Sequence, residues 1–135
     1  MYIEIEELRT HVREEELQEI IRNDETIALA ALDAAIEFAK SKLMKHYDTR
    51  AIFNHKGSER SPLLVKFVKD IAIWEIIGLA TPHIDYNDKK LRYDDAVAWL
   101  TAVYKGMPAD FPVKEETSSS SSFNLISNPK RQNRY

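Results

Sequence analysis

Breaks in helical periodicity are scarce in this chain of 135 residues, which contains only three glycines and five prolines. Between the breaks, apolar residues recur every three or four positions and do not alternate with polar ones. Since one face of an α-helix repeats every 3.6 residues, this spacing predicts an all-α protein. The length suits a single hydrophobic core, so we predict a small helical bundle.

The first third of the chain is predicted to hold two short helices followed by a long one. The short helices cover residues 4 to about 12 and the apolar run around Leu17. The long helix is expected to start at Asn23 or Asp24, because a short side-chain oxygen can accept amide protons left unpaired in the first turn. It should extend to about Tyr47.

Small residues cover much of the predicted long helix, and Ala30, Ala31 and Ala34 are among them. Other helices can therefore approach it closely. A polar connection follows over residues 48–62, and it is either a functional loop or a flexible surface loop. Pro62 is suited to an early position of the next helix.

Two further helices are predicted, at residues 63 to about 80 and 88–105. The first is apolar over most of its circumference, but four charged residues interrupt it, which argues for a central core helix and against a membrane span. The second is stopped by Gly106 and Pro108. Its apolar stripe consists of Tyr93, Ala96, Val97, Leu100, Val103 and Tyr104.

Residues 113–135 differ in composition from the rest and contain a serine run at 118–122. This segment lacks the apolar periodicity needed to fold by itself. We predict a helical domain at residues 1–112 and an extended tail at 113–135 that partners would order. Four basic and two acidic residues give the tail a charge of +2, so the remainder of this chain of net charge -3 carries -5.

Local signatures of common enzymes are missing from the sequence. There are no cysteines, and the three glycines lie too far apart to form a phosphate-binding loop. The four histidines have no pair at the one-turn spacing that would let two imidazoles reach one metal. The carboxylate clusters at 14–16 and 94–95 lie beside apolar stripes, where charged residues form the solvated face. We therefore predict a non-enzymatic protein without cofactor or metal.

Composition also bears on the compartment and on nucleic acid. The absence of cysteine fits a reducing cytoplasm, and the acidic N-terminus lacks the features of a secretory signal. A slightly acidic chain has no electrostatic footprint for gripping a nucleic-acid backbone.

Several stretches resemble the head-tail connector, or head-completion adaptor, family of tailed bacteriophages. They are residues 2–9, residues 44–47, residues 61–64 with 70–74, and residues 91–100 with 105–106. The resemblance implies a helical bundle that forms a ring, typically of twelve copies, on the phage portal protein. The ring would lie in the virion neck, after assembly in the bacterial cytoplasm, and would continue the DNA channel toward a tail or stopper protein. DNA would pass through without sequence-specific binding, and no membrane is involved.

Under this hypothesis two sets of residues form contacts. The expected interface with other subunits or the portal comprises Ala30, Ala31, Ala34, Trp74, Trp99, Phe123, Leu125, Ile126, Lys130, Arg131 and Arg134. The residues expected to face the channel or the next ring are Arg50, His55, Lys56 and Arg60.

Two alternatives belong to other classes of protein. A small helical nucleic-acid-binding regulator or packaging accessory is favoured only by the basic tip of the tail. A small enzyme would require a tight pocket containing an acidic pair or histidines.

Overall fold

A computed structural model describes residues 1–80 and 86–114. It confirms the all-α prediction. A 3-10 helix at Ile5–Thr10 precedes α1 (Glu14–Leu43), α2 (Thr49–Asn54), a 3-10 turn at Gly57–Glu59, α3 (Pro62–Ala80) and α4 (Tyr86–Tyr104). Within the described ranges the extended structure is limited to one isolated bridge, between Tyr47 and Val113.

The long helix begins earlier than predicted. α1 is continuous over 30 residues from Glu14, so the separate helix around Leu17 and the cap at Asn23 or Asp24 were wrong. The start is set where the Glu16 carboxylate accepts the Arg13 amide proton at 3.1 Å. Three glutamates in the first turn favour this start, since they face the positive end of the helix dipole. Neither proline nor glycine follows to break the helix.

The connection between α1 and α3 is more structured than predicted. Asp48 accepts the Ala51 amide proton at 3.2 Å and caps α2, whose Ile52 and Phe53 side chains are buried. Two apolar residues are too few to show a helical period in the sequence. Pro62 is the first residue of α3, as predicted, and the Ser61 hydroxyl accepts the Leu64 amide proton at 3.3 Å.

α3 is the central helix, and it packs against both α1 and α4. Its buried side chains include Leu64, Val68 and Ile76, while Leu63 and Leu79 at its two ends are exposed. α1 contributes alanines to the core, which lets the helix axes approach closely. The fully buried residues of these three helices include Ala28, Leu32, Ala35, Ala39, Leu43, Ala72, Ala96, Leu100 and Val103.

The segment after α4 returns to the end of α1. Its chain reversal occurs at Gly106, and the Asp48 amide then donates to the Pro112 carbonyl at 2.9 Å. The Tyr47 hydroxyl accepts the Ala109 amide proton at 3.0 Å. The segment is thereby fixed beside the junction of α1 and α2.

Candidate functional site

Arg60 joins the connection between α1 and α3 to the N-terminus. Its Nη1 donates to the Tyr2 carbonyl at 2.9 Å and to Glu7 Oε1 at 3.1 Å, and its Nη2 donates to Glu7 Oε2 at 2.7 Å. Its Nε donates to the Gly57 carbonyl at 3.0 Å. A planar guanidinium matches a carboxylate with two parallel bonds, so this pairing holds both segments in one orientation.

The same pairing sets the protonation of both groups. The hydrogen bonds from Arg60 lower the pKa of Glu7, and those to Glu7 raise the pKa of Arg60. Burial raises the pKa of the nearby Tyr2 hydroxyl. Glu7 and Arg60 therefore stay charged over the neutral range of pH.

A second polar cluster surrounds Asp70, whose side chain is almost completely buried in α3. Lys66 Nζ donates to Asp70 Oδ2 at 3.1 Å from the preceding turn. His11 Nε2 lies 3.2 Å from Asp70 Oδ1, but it is not aligned for a hydrogen bond, so their contact is mainly electrostatic. His11 Nδ1 lies 2.9 Å from Thr10 Oγ1.

Burial governs the titration of the two bases in this cluster. It lowers the pKa of His11 more strongly than the Asp70 carboxylate raises it. It likewise lowers the pKa of Lys69, and Glu7 and Asp70 only partly oppose this. His11 is therefore neutral at pH 7.

A cleft of about 420 Å³ separates the N-terminal segment from α3. Glu7 and His11 form one wall, the segment 57–62 forms another, and Val65, Lys66 and Lys69 of α3 form the third. The cleft thus brings together charged residues from three parts of the chain.

An aromatic cluster lies on the side of α3 away from this cleft. Trp99 of α4 packs 5.2 Å from the Phe67 ring of α3 and 6.2 Å from Phe111. Phe111 in turn meets the Tyr47 ring edge-on at 5.6 Å. These contacts fix the returning segment to α3, to α4 and to Tyr47, which follows α1.

Several apolar side chains remain exposed at the end of the bundle that contains the C-terminal ends of α1 and α4. Met44, Tyr104, Met107 and Val113 are each at least 39% exposed. Lys42 and Lys45 lie over the Tyr104 ring, at 5.2 and 4.6 Å from its centroid. Tyr104, which belongs to the predicted apolar stripe of the last helix, is 39% exposed, and its ring is covered by these two lysines.

The residues predicted to form an interface are dispersed. Ala30 and Ala34 are exposed on α1, whereas Ala31 is buried in the core. Trp74 is half-buried against Tyr93, with 5.8 Å between ring centroids. The predicted tail residues Phe123, Leu125, Ile126, Lys130, Arg131 and Arg134 lie outside the described residues.

The residues predicted to face a channel or a further ring also have different surroundings. Arg50 is exposed and His55 is half-buried. Lys56 Nζ donates to the Met1 carbonyl at 3.3 Å, and Arg60 points inward to Glu7. Lys56 and Arg60 therefore contact the N-terminus within the same chain.

The sequence analysis did not predict the cluster around Asp70. Asp70 and Lys66 are one helical turn apart, a spacing that indicates an ion pair, but His11 lies 59 positions from Asp70 and nothing local links them.

Within residues 1–80 and 86–114, no group of three or more acidic or histidine residues is placed to hold a metal ion. No helix in the same ranges is long and apolar enough to cross a membrane.

In the comparison with protein families, residues 2–124 match the model described as Bacteriophage Mu, Gp36. The chain belongs to this family. No curated protein and no solved structure matches the chain. The Gp36-family match covers all the described helices and both polar clusters, so the whole bundle belongs to a bacteriophage protein family. The predicted origin in a bacteriophage is confirmed.

Proposed function

We propose that this Gp36-family protein is a non-enzymatic head-to-tail connector that forms a ring on the phage portal. The observation that carries the proposal is the match to a bacteriophage family over residues 2–124, found for a chain whose segments resemble phage connectors. The all-α bundle supports it, since that is the architecture the resemblance implies.

The exposed face of α1 is the proposed contact with the next subunit. Leu29, Ala30 and Ala34 are exposed there, and small side chains allow a neighbouring helix to approach closely. Ala31 is buried and packs in the core of its own subunit. A head-to-tail contact of this kind closes into a ring when the rotation between copies divides a full turn.

The exposed apolar end of the bundle is the proposed base for the tail. Met44, Met107 and Val113 are exposed, and Val113 precedes residues 115–135 in the chain. In our proposal the tail leaves this surface and contacts a neighbouring subunit or the portal through its apolar and basic residues. A segment that becomes ordered on binding can cover a large surface.

DNA is proposed to pass through the ring without sequence-specific contacts and to continue toward a tail or stopper protein. The charge of -5 on residues 1–112 supports this, because a net-negative wall repels the phosphate backbone. The proposed role involves no chemical step, cofactor or membrane. Its location is the virion neck, and twelve is the number of copies that the resemblance implies.

The decisive experiment is cryo-electron microscopy of the purified portal mixed with the full-length protein, with the mass of the protein alone measured in parallel. We expect a ring seated on the portal. A bare portal together with a monomeric protein that shifts free DNA would overturn the proposal and favour a nucleic-acid-binding regulator.

A further inference from the structure

Lys69 of α3 is a buried cation without a direct counterion. The residue is 8% exposed, yet its ammonium group can donate three hydrogen bonds. One bond is present, to Thr10 Oγ1 at 3.2 Å. Across the described ranges, no carboxylate oxygen lies within 4.0 Å of Lys69 Nζ. Buried charges are normally paired, so this arrangement is costly unless something completes it.

The nearest carboxylates are already engaged by other cations. Both oxygens of Glu7 accept bonds from Arg60. Asp70 accepts from Lys66 on one oxygen and meets His11 with the other. Lys69 therefore depends on a group from outside this cluster for close charge pairing.

A group from outside can reach Lys69, because this lysine lines the cleft of about 420 Å³ between the N-terminal segment and α3. The exposed Ser58 stands in the same cleft and offers a hydroxyl donor. Pro62 and Val65 add apolar surface beside the charged groups. The cleft thus combines an unmatched cation, a further donor and an apolar wall, which suits a small anionic group attached to a carbon chain.

We propose that this cleft binds the carboxylate of an acidic side chain from a partner protein, with Lys69 as its counterion. The surrounding charge favours one carboxylate over a polyanion, because Glu4 and Glu6 are exposed on the same N-terminal segment and residues 1–112 carry a charge of -5. A single carboxylate gains the local attraction of Lys69, whereas a phosphate backbone would meet the negative surroundings as well. The inference does not rest on the connector proposal.

The test is a titration of the isotope-labelled full-length protein with sodium acetate, followed by NMR at constant ionic strength set with sodium chloride. We expect saturable shifts of the Thr10, His11 and Lys69 resonances with an apparent Kd of roughly millimolar order, as befits so small a ligand. Lys69→Met should weaken binding at least about tenfold. Lys105→Met, which removes an exposed lysine after α4, is the matched control and should bind acetate as the unmodified protein does.

Absence of saturable shifts at these three residues in the unmodified protein would overturn the proposal, even if Lys69→Met failed to fold. Equal acetate binding by a folded Lys69→Met protein would do the same. In a parallel titration, inorganic phosphate should bind more weakly than acetate. Tighter binding of phosphate at the same residues would overturn the assignment to a carboxylate.

Discussion

Arg60 shows how one long side chain can connect two segments that are distant in the sequence. Its guanidinium reaches the Tyr2 carbonyl, the Glu7 carboxylate and the Gly57 carbonyl, and its side chain is only 16% exposed. Partial burial removes competing water, so such bonds contribute more than those of an exposed ion pair. The N-terminal segment therefore depends on this residue for its position.

Replacing Arg60 by methionine should lower the free energy of unfolding by about 1–3 kcal/mol, because Glu7 and the Tyr2 carbonyl lose their charged partner. Chemical denaturation measures this. Lys40→Met, which breaks the more exposed pair of Lys40 with Glu37 at 3.4 Å, is the control and should change stability by less than about 1 kcal/mol. Equal effects of the two substitutions would contradict the role assigned to Arg60.

Stability should also fall as the pH is lowered. The folded-state pKa of His11 is lowered by burial, and that of Glu7 is lowered by hydrogen bonds from Arg60. The unfolded chain therefore takes up both protons first. The stabilisation is complete above the unfolded pKa values, about 6.5 for histidine and 4.3 for glutamate, and is lost as the pH falls through each in turn.

Urea unfolding between pH 8 and pH 3 tests this linkage. The quantity compared is the slope of the free energy of unfolding against pH, which does not depend on the absolute stability of each variant. His11→Gln should flatten the decline near pH 6, and Glu7→Gln should flatten the decline near pH 4. A histidine variant that keeps the full slope near pH 6 would show that His11 is not responsible.

At the scale of elements, the end of α4 is set by Gly106. This residue has φ of +123°, a conformation that L side chains rarely adopt. It allows the Gly106 amide to donate to the Val103 carbonyl at 3.1 Å and the Met107 amide to donate to the Ala102 carbonyl at 2.9 Å. These are the two bonds of a Schellman motif, which turns the chain back toward α1.

Gly106→Ala should therefore lower the melting temperature, through a loss of roughly 1 kcal/mol in the free energy of unfolding. The matched control is Gly78→Ala within α3, where an added Cβ meets no atom within 4 Å. Alanine should stabilise that position by about 0.5–1 kcal/mol, since the backbone there is helical. If both substitutions change the melting temperature in the same direction, this account of the two glycines is wrong.

At the scale of the whole molecule, α3 has two structural roles. One side carries the core against α1 and α4, and the first half also carries the charged cluster that meets the N-terminal segment. The aromatic cluster closes the bundle on the opposite side. The face of α1 that bears Ala30 and Ala34 is left exposed by this arrangement, and it is the surface we propose for contact between subunits.

Arginine substitutions at Ala30 and Ala34 should abolish the ring on the portal while the far-ultraviolet circular dichroism stays helical. Both side chains are exposed in the single chain, so the cost arises only when a second subunit must pack there. Ala98→Arg on the exposed side of α4 is the control and should leave the ring intact. Rings that persist with arginine at both α1 positions would place the subunit contact elsewhere.

The sequence by itself determined the helical class, the central apolar helix and the break after α4. Apolar residues at helical spacing and a few glycines and prolines express these features within short windows. Tertiary structure decided most of the rest. The short helix α2 depended on the burial of its Ile52 and Phe53 side chains in the folded chain. The start of α1 is a local feature, set by the bond from the Arg13 amide to the Glu16 carboxylate, but arginine is not one of the residue types that mark a helix start in the sequence.

At the candidate site, too, some contacts of the charged clusters can be predicted from the sequence and others depend on the tertiary structure. The one-turn pairing of Lys66 with Asp70 can be predicted from spacing, but His11 and Arg60 reach their partners across more than fifty residues. Periodicity carries no information on such distances, because they are set by how the N-terminal segment docks on α3. The unmatched charge of Lys69 likewise exists only in the folded chain, where packing buries the lysine and other cations engage the nearest carboxylates.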